Sequence, residues 1–433
     1  MKLLIHDLKR EEWDRISGRY AGWEVISDNG RICSCAGCFG CWIKTPGECV
    51  IEDGYERIPV LMHRAEEVVV MSRYTYGGFS SFVKNVFDRN IGWVLPFFEI
   101  INDEMHHKKR YPEDKPFTFI FRGNKLSQEE KDKATKYVRA VCINFHGVIR
   151  DIIFEEDEVL QEKSPEQDIM IREGNPGTIL LNCSLRGDRS NSVRFLDRLA
   201  AMITGETQRL NLAAYLRRTD ELLSLLASAE KIVFGMPMYV DGIPSAALRI
   251  MEAMERICAV QKPAGKKIYL ICNMGFYESS QQVHLVSMMH SWCECCGFDY
   301  SGCVAIGAGE MLGMMMAATN IEKGAAAEVG SALAKLSEAI NKDQKAGDLY
   351  AGPKGFPRCC YMFIANSNWP RGGRKNGLKR KDLYRCPSLW QGSLSGRKLR
   401  NGRRADLQRD RNDAIGGGIF FDHDRKINED HRI

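Results

Sequence analysis

The sequence predicts an α/β protein of two tandem doubly wound domains, each a parallel sheet covered by helices, followed by a basic C-terminal tail. Three observations predict it. Apolar runs of strand length alternate with amphipathic helical stretches, three blocks recur in the same order along the chain, and positive charge collects at one end. The expected domains span residues 1–162 and 176–365, and the expected tail spans 366–433.

The recurrence rests on three pairs of segments. "KLLIHDL" from Lys2 and "TILLNCS" from Thr178 are both strand-like and lie 176 residues apart. "SRYTYGGFSSFVKNVFD" from Ser72 aligns without gaps to "MPMYVDGIPSAALRIME" from Met236, so Ser81 meets Ser245 and Asp88 meets Glu252 at an offset of 164. "KPFTFIFRGN" from Lys115 and "KKIYLICNMG" from Lys266 are 151 apart, each followed by a helix-like stretch ending at Gly147 or Gly297. The second copy shows the alternation most clearly: "TILLNCS" precedes the helical "SVRFLDRLAAMI", "KIVFGMP" precedes "SAALRIMEAMERI", and "KKIYLICNM" precedes "QQVHLVSMMHSWCECC". The boundary between copies falls in the polar, proline-bearing "EKSPEQDIMIREGNPG".

Composition bounds the function. With 44% hydrophobic and 27% charged residues the chain reads as water-soluble, and no apolar stretch approaches the roughly 18 residues of a membrane span. The opening "MKLLIHDLKREEWDR" has no signal-peptide pattern, so a cytoplasmic location is expected. The net charge of +5 is uneven: from Asn366 onward 17 Lys and Arg face 8 Asp and Glu, leaving a slightly acidic body. No nucleic-acid partner is expected of that body, and the Gly-, Ser- and Arg-rich tail reads as a solvated, poorly ordered extension.

In a doubly wound sheet ligands bind beyond the carboxyl ends of the strands. The loops after residues 183, 236 and 272 should therefore share one site. "CSLRGDRSNS" supplies Ser184, Arg186, Ser190, Asn191 and Ser192 at the start of a helix, a cradle for a phosphate monoester. The glycine spacing of a dinucleotide fingerprint is missing there. "PMYVDGIPS" brings Pro237, Met238, Tyr239 and Val240 to a flat ring, and "NMGFYESS" adds Asn273, Gly275 and Phe276. Three such loops at one sheet end suit flavin mononucleotide (FMN).

Sixteen cysteines in a reducing compartment direct attention to clusters. "CSCAGCFGCWIKTPGEC" places Cys35, Cys38, Cys41 and Cys49 in a C-x2-C-x2-C-x7-C pattern that could ligate a [4Fe–4S] cluster, with zinc a weaker fit and packed or redox thiols an open alternative. "MHHKKRY" reads as a solvated loop near the first copy's ligand end, "WCECCGF" as buried thiols at a helix end, and "MLGMMMAA" as adaptable core or an apolar interface. No Ser/His/Asp arrangement appears.

"NCSLRGDRSNSVRFL", "GMPMYVDGIPSAALRIMEAM" and "CNMGFYES" resemble the NADPH-dependent FMN reductase family of flavodoxin-like folds. "CAGCFGCWIKTPGECVIEDG" and "SRYTYGGFSSFVKNVFDR" are similar to its iron-sulfur flavoprotein branch. The resemblance covers residues 1 to about 385. It implies two flavodoxin-like domains and an FMN-dependent NAD(P)H oxidoreductase passing electrons to a small-molecule or protein acceptor; an FMN electron carrier or a non-catalytic scaffold is the alternative. It further implies a phosphate role for Ser184, Arg186, Ser190, Asn191 and Ser192, and ring contacts from Pro237 to Val240 and from Asn273, Gly275 and Phe276. The first copy departs by carrying "KREEWDRISGRY" where the cradle should be, and the second by lacking the cysteine segment, which makes it 12 residues shorter there. Since such reductases pair as dimers, the fused copies should form a pseudo-dimer, with further homo-oligomers allowed. The cysteine loop 35–49 should then lie against residues 237–243 with Trp42 buried.

Overall fold

The computed structural model describes residues 1–156, 177–261, 265–318 and 323–387. Most of the expected interdomain segment and residues 388–433 of the expected tail lie outside the described residues. The first half contributes β1 (Lys2–His6), β2 (Glu24–Ser27), β3 (Glu67–Arg73), β4 (Val94–Ile101), β5 (Glu104–Lys109), β6 (Lys115–Gly123) and β7 (Gly147–Glu156). The second contributes β8 (Thr178–Asn182), β9 (Thr207–Asn211), β10 (Lys231–Pro237), β11 (Lys267–Asn273), β12 (Asp299–Ile306) and β13 (Gly347–Ala351). One sheet runs β2-β1-β3-β6-β7 and the other β9-β8-β10-β11-β12-β13, all pairs parallel. With the separate antiparallel β4–β5 pair set aside, each sheet follows the 2-1-3-4-5 order of flavodoxin-like folds, and β13 extends the second at its edge.

The strands read as continuous apolar runs because helices cover both faces. β3 (EVVVMSR), β10 (KIVFGMP) and β11 (KIYLICN) are buried along most of their length. The helices Ser81–Arg89, Gln128–Asn144, Asn191–Ala200, Ser245–Gln261 and Val283–Cys296 supply the layers. Helix Val283–Cys296 ends on Gly297 in the left-handed region at φ 68°; Cys293 and Cys296 are buried as the sequence reading holds, whereas Cys295 is exposed.

The halves meet through helices Ser81–Arg89 and Ser245–Gln261, each capping the other. The Ser81 amide and hydroxyl donate to Glu252 at 3.1 and 2.7 Å, and the Ser245 amide donates to Asp88 at 2.9 Å. Ser81 and Ser245 are aligned positions, as are Asp88 and Glu252, so the contact is reciprocal in the manner of a two-fold interface. Each carboxylate also lies at the positive end of the facing helix. The turns that precede the helices match as well. Thr75 bridges Gly78 and Tyr239 bridges Gly242, with positive φ at Tyr76, Gly77, Val240 and Asp241.

Two expectations are corrected. The tail does not begin at Asn366: helix Arg358–Lys375 runs through that point, and Trp369 and Leu383 are buried in the first half's core. Arg110 fixes the segment by donating to the Leu383 and Arg385 carbonyls at 2.9 and 2.7 Å. The run of basic residues on the solvated side masks these few apolar anchors. Nor is "MHHKKRY" a solvated loop, since it forms β5 with Met105 and His106 buried.

Candidate functional site

The three loops converge at the carboxyl ends of β8, β10 and β11. All twelve expected cofactor contacts line one cleft: Ser184, Arg186, Ser190, Asn191 and Ser192, then Pro237, Met238, Tyr239 and Val240, then Asn273, Gly275 and Phe276. The phosphate loop is held by its own polar net. Asn182 Oδ1 accepts from the Ser184 amide at 3.1 Å and the Ser190 hydroxyl at 3.3 Å; Ser190 Oγ in turn caps the helix by accepting from the Val193 amide at 3.2 Å. Asn273 Nδ2 donates to Ser192 Oγ at 2.9 Å and to the Met236 carbonyl at 3.2 Å, tying the third loop to the first two.

The cradle's donors fit a phosphate. Ser184, Ser190 and Ser192 are buried hydroxyls around the opening turn of helix Asn191–Ala200, and Arg186 makes no side-chain hydrogen bond or ion pair among the described residues. Glu310 faces the same cleft, and burial pushes its carboxyl above the usual range while Arg186 pulls it back.

The opposite wall comes from the first half. Cys35, Gly37, Phe39 and Trp42 of the cysteine loop line the cleft, and Gly37 lies so close to Tyr239 that an added Cβ would fall 1.9 Å from its hydroxyl. Trp42 is 2% exposed; its indole donates to the Ile91 and Val94 carbonyls at 2.9 Å, and its ring stacks on Phe39 and meets Trp369 edge-on. His107, on β5, packs against Trp42, Phe98 and Phe276. Burial lowers its imidazole to about 3, so it is neutral at physiological pH. Its Nδ1 has no partner among the described residues.

A buried pair binds the ring loop to the first half: Lys84 salt-bridges Asp88 and donates to the Tyr239 carbonyl at 2.6 Å. On the next turn Asn144 Nδ2 donates to both Asp241 oxygens at 2.8 and 2.9 Å, and burial raises that carboxyl to about 6.

The structure lends no support to a metal site at the four cysteines. Among the described residues no group of three or more His, Cys, Asp and Glu side chains is arranged to hold a metal ion. The thiols are used otherwise: Cys38 Sγ accepts from the Gly40 amide at 3.4 Å, Cys49 Sγ accepts from Arg89 Nε at 3.1 Å, and Cys41 is buried with its pKa pushed well up by desolvation. Arg89, unexposed, staples the loop by pairing with Asp53 and donating to the Cys33 and Ile51 carbonyls. Cys35, Cys38, Cys41 and Cys49 lie near enough for their thiols to add to the burial that raises the pKa of the first three, but none of these arrangements supports a cluster.

The first half's own strand ends are occupied as well. Asp7, where the cradle would begin, accepts from the Arg73 amide at 3.1 and 3.0 Å. The groove beside Tyr74 and Tyr76 carries five glutamates against Arg73, Lys125, Lys133 and Arg256, with Glu129 and Glu252 paired to Lys133 and Arg73.

The reading missed Phe98, His107, Asn144, Glu310 and Trp369. Trp369 had one usable signal, a large apolar side chain inside a charged stretch; β5 had none, because "HHKK" breaks any apolar alternation.

No family model matches the chain, and no curated protein matches it. Solved structures similar to it include azoreductase from Bacillus anthracis str. Sterne, at 16% identity over 38% of this chain and 99% of that one, with a TM-score of 0.29. An FMN-dependent NADH-azoreductase from Bacillus anthracis str. Ames Ancestor in complex with FMN aligns at 13% identity over 39% and 97%, TM-score 0.26. The Trp repressor binding protein from Bacillus subtilis aligns at 14% over 30% and 83%, TM-score 0.26. Likenesses this slight decide nothing about activity.

Proposed function

We propose that the cleft at the ends of β8, β10 and β11 holds FMN and that the protein is a flavin-dependent oxidoreductase drawing on a reduced nicotinamide. The observation that carries this reading is the convergence of three sequence-distant loops on one cleft, with a hydroxyl-lined helix N-terminus and an Arg186 unpaired among the described residues at one end and aromatic walls at the other. When bound, FMN supplies two-electron transfer between the nicotinamide and an acceptor.

The chain's own residues bind, orient and exclude water. Ser184, Ser190, Ser192 and Arg186 would hold the phosphate with charge-assisted hydrogen bonds. The Tyr239–Gly242 turn, fixed from below by Lys84 and Asn144, would meet the flavin ring. Phe39, Trp42 and Trp369 close the far side against water. An anaerobic titration with NADPH after loading with FMN tests the proposal: stoichiometric bleaching of the flavin supports a reductase, and bound flavin that NADPH leaves oxidised restricts the protein to electron carriage.

A further inference from the structure

The longest strand of the first sheet lies at its edge. β7 runs for 10 residues, against 4 for β2 and 5 each for β9 and β13, the other edge strands, and no strand pairs with its outer side among the described residues. β12, its counterpart in the winding order of the second sheet, is covered on that side by β13. Short edges resist pairing with other chains, whereas a long open one is a template for it. Two apolar side chains mark this edge: Val148 is 52% exposed and Ile153 36%.

The sequence of β7, GVIRDIIFEE, is fitted to pair with itself. Arg150 is an extra residue opposite β6, since Ile149 pairs with Phe117 and Asp151 with Thr118. The bulge resets the alternation: Ile149, Ile152 and Phe154 pack on the first half's core, while Val148 and Ile153 lie beside Pro116 and Ile120 on the other face. In a regular strand a two-fold axis perpendicular to the sheet cannot fall between adjacent residues, because neighbours point to opposite faces. The bulge removes that bar. With the axis between Arg150 and Asp151, an antiparallel copy sets Arg150 against the partner's Asp151, Ile149 against the partner's Ile152 and Val148 against the partner's Ile153, the last two pairs each on one face. Charges on an edge usually keep strands apart, but here two adjacent opposite charges each meet their opposite. Both are exposed, and neither makes an ion pair among the described residues.

We propose that β7 is the seam of a homodimer in which two copies of the chain pair edge to edge across this axis and join their first sheets into one. The self-complementary order of charged and apolar residues selects a second copy over a foreign strand. The inference stands apart from the flavin reading, because no residue of β7 lines the cleft.

The test is sedimentation of the full-length protein over a concentration series, beside Arg150→Asp, Asp151→Arg and the exchanged Arg150→Asp/Asp151→Arg. Wild type should pass from one chain to two as concentration rises. Each single variant sets like charges against each other twice and should dimerise about tenfold more weakly, and the exchanged variant should regain the wild-type constant. The two single variants mixed in equal amounts should form a heterodimer, because two aspartates then face two arginines. Ile153→Lys, which puts a charge into the seam without touching the core face, should leave a folded single chain. Amide exchange should show residues 148–154 gaining protection as wild type dimerises. Wild type that stays a single chain throughout the series overturns the proposal, as do single variants that dimerise as tightly as wild type. So does a wild-type dimer in which β7 gains no protection, which would place the contact on another face.

Discussion

Gly37 sits at φ +62° with Tyr239 directly against it, whereas Gly54, at φ +92° in the same half, has nothing within 4 Å of an added Cβ. The two separate backbone strain from a clash. Gly54→Ala should cost about 1–2 kcal/mol, the price of a left-handed residue with a side chain, and Gly37→Ala should cost about 1–3 kcal/mol more and displace Tyr239. Urea titration of both variants checks the difference, and equal losses would remove the proposed contact across the cleft. Asp241 gives a pH signature. Its carboxyl is raised to about 6 in the fold, so the native state holds a proton that the unfolded chain releases near pH 4. Its contribution is present below that pH and is lost as pH rises through about 6, at up to roughly 1.4 kcal/mol per pH unit. Asp241→Asn should flatten the pH dependence of unfolding between pH 4 and 6, and an unchanged slope would contradict the assignment. At this scale the sequence shows residue chemistry well: hydroxyls, Arg and Asn ahead of a helix announce an anion cradle. Spacing alone does not decide the chemistry of Cys35, Cys38, Cys41 and Cys49, because it records how far ligands lie apart along the chain and not how their thiols are arranged.

Helices Ser81–Arg89 and Ser245–Gln261 cap one another, and this pairing orients the cysteine loop over the ring loop. Removing either carboxylate leaves a buried amide without its charged acceptor, so Asp88→Ala and Glu252→Ala should each cost about 1.5–3 kcal/mol, with Asp88→Ala the worse because it also strands buried Lys84. Chemical denaturation measures both, and losses below about 0.5 kcal/mol would show that the helix pair does not hold the halves together. The C-terminal helix closes the cleft through Trp369. Trp369→Ala should cost about 3–5 kcal/mol and admit water to the flavin site, visible as faster quenching of flavin fluorescence by iodide. Strands β8, β10 and β11 and helix Val283–Cys296 follow from apolar runs of the right length. Helix Arg358–Lys375 and β5 do not, because tertiary burial of a few side chains there overrides a polar local pattern.

At the scale of the whole molecule, two halves of the same winding order meet through their helices, and one lines the polar end of the cleft while the other supplies a wall of it. The sequence blocks made the paired architecture legible, down to the aligned Ser81 and Ser245. That the cysteine loop meets the ring loop followed from the pairing the resemblance implies and not from any local pattern, because no local pattern encodes which faces meet. A chain split between residues 165 and 170 and co-expressed as two pieces should reassemble with its flavin, whereas residues 177–433 alone should bind it at least tenfold more weakly for want of Trp42 and the Lys84 anchor. The most direct measurement is the flavin content of the full-length protein, after incubation with excess FMN and gel filtration, beside that of Arg186→Ala/Ser190→Ala. The account predicts one equivalent of FMN per wild-type chain and a colourless, folded double variant. Wild-type protein that retains no FMN, or a double variant that retains it undiminished, would contradict it.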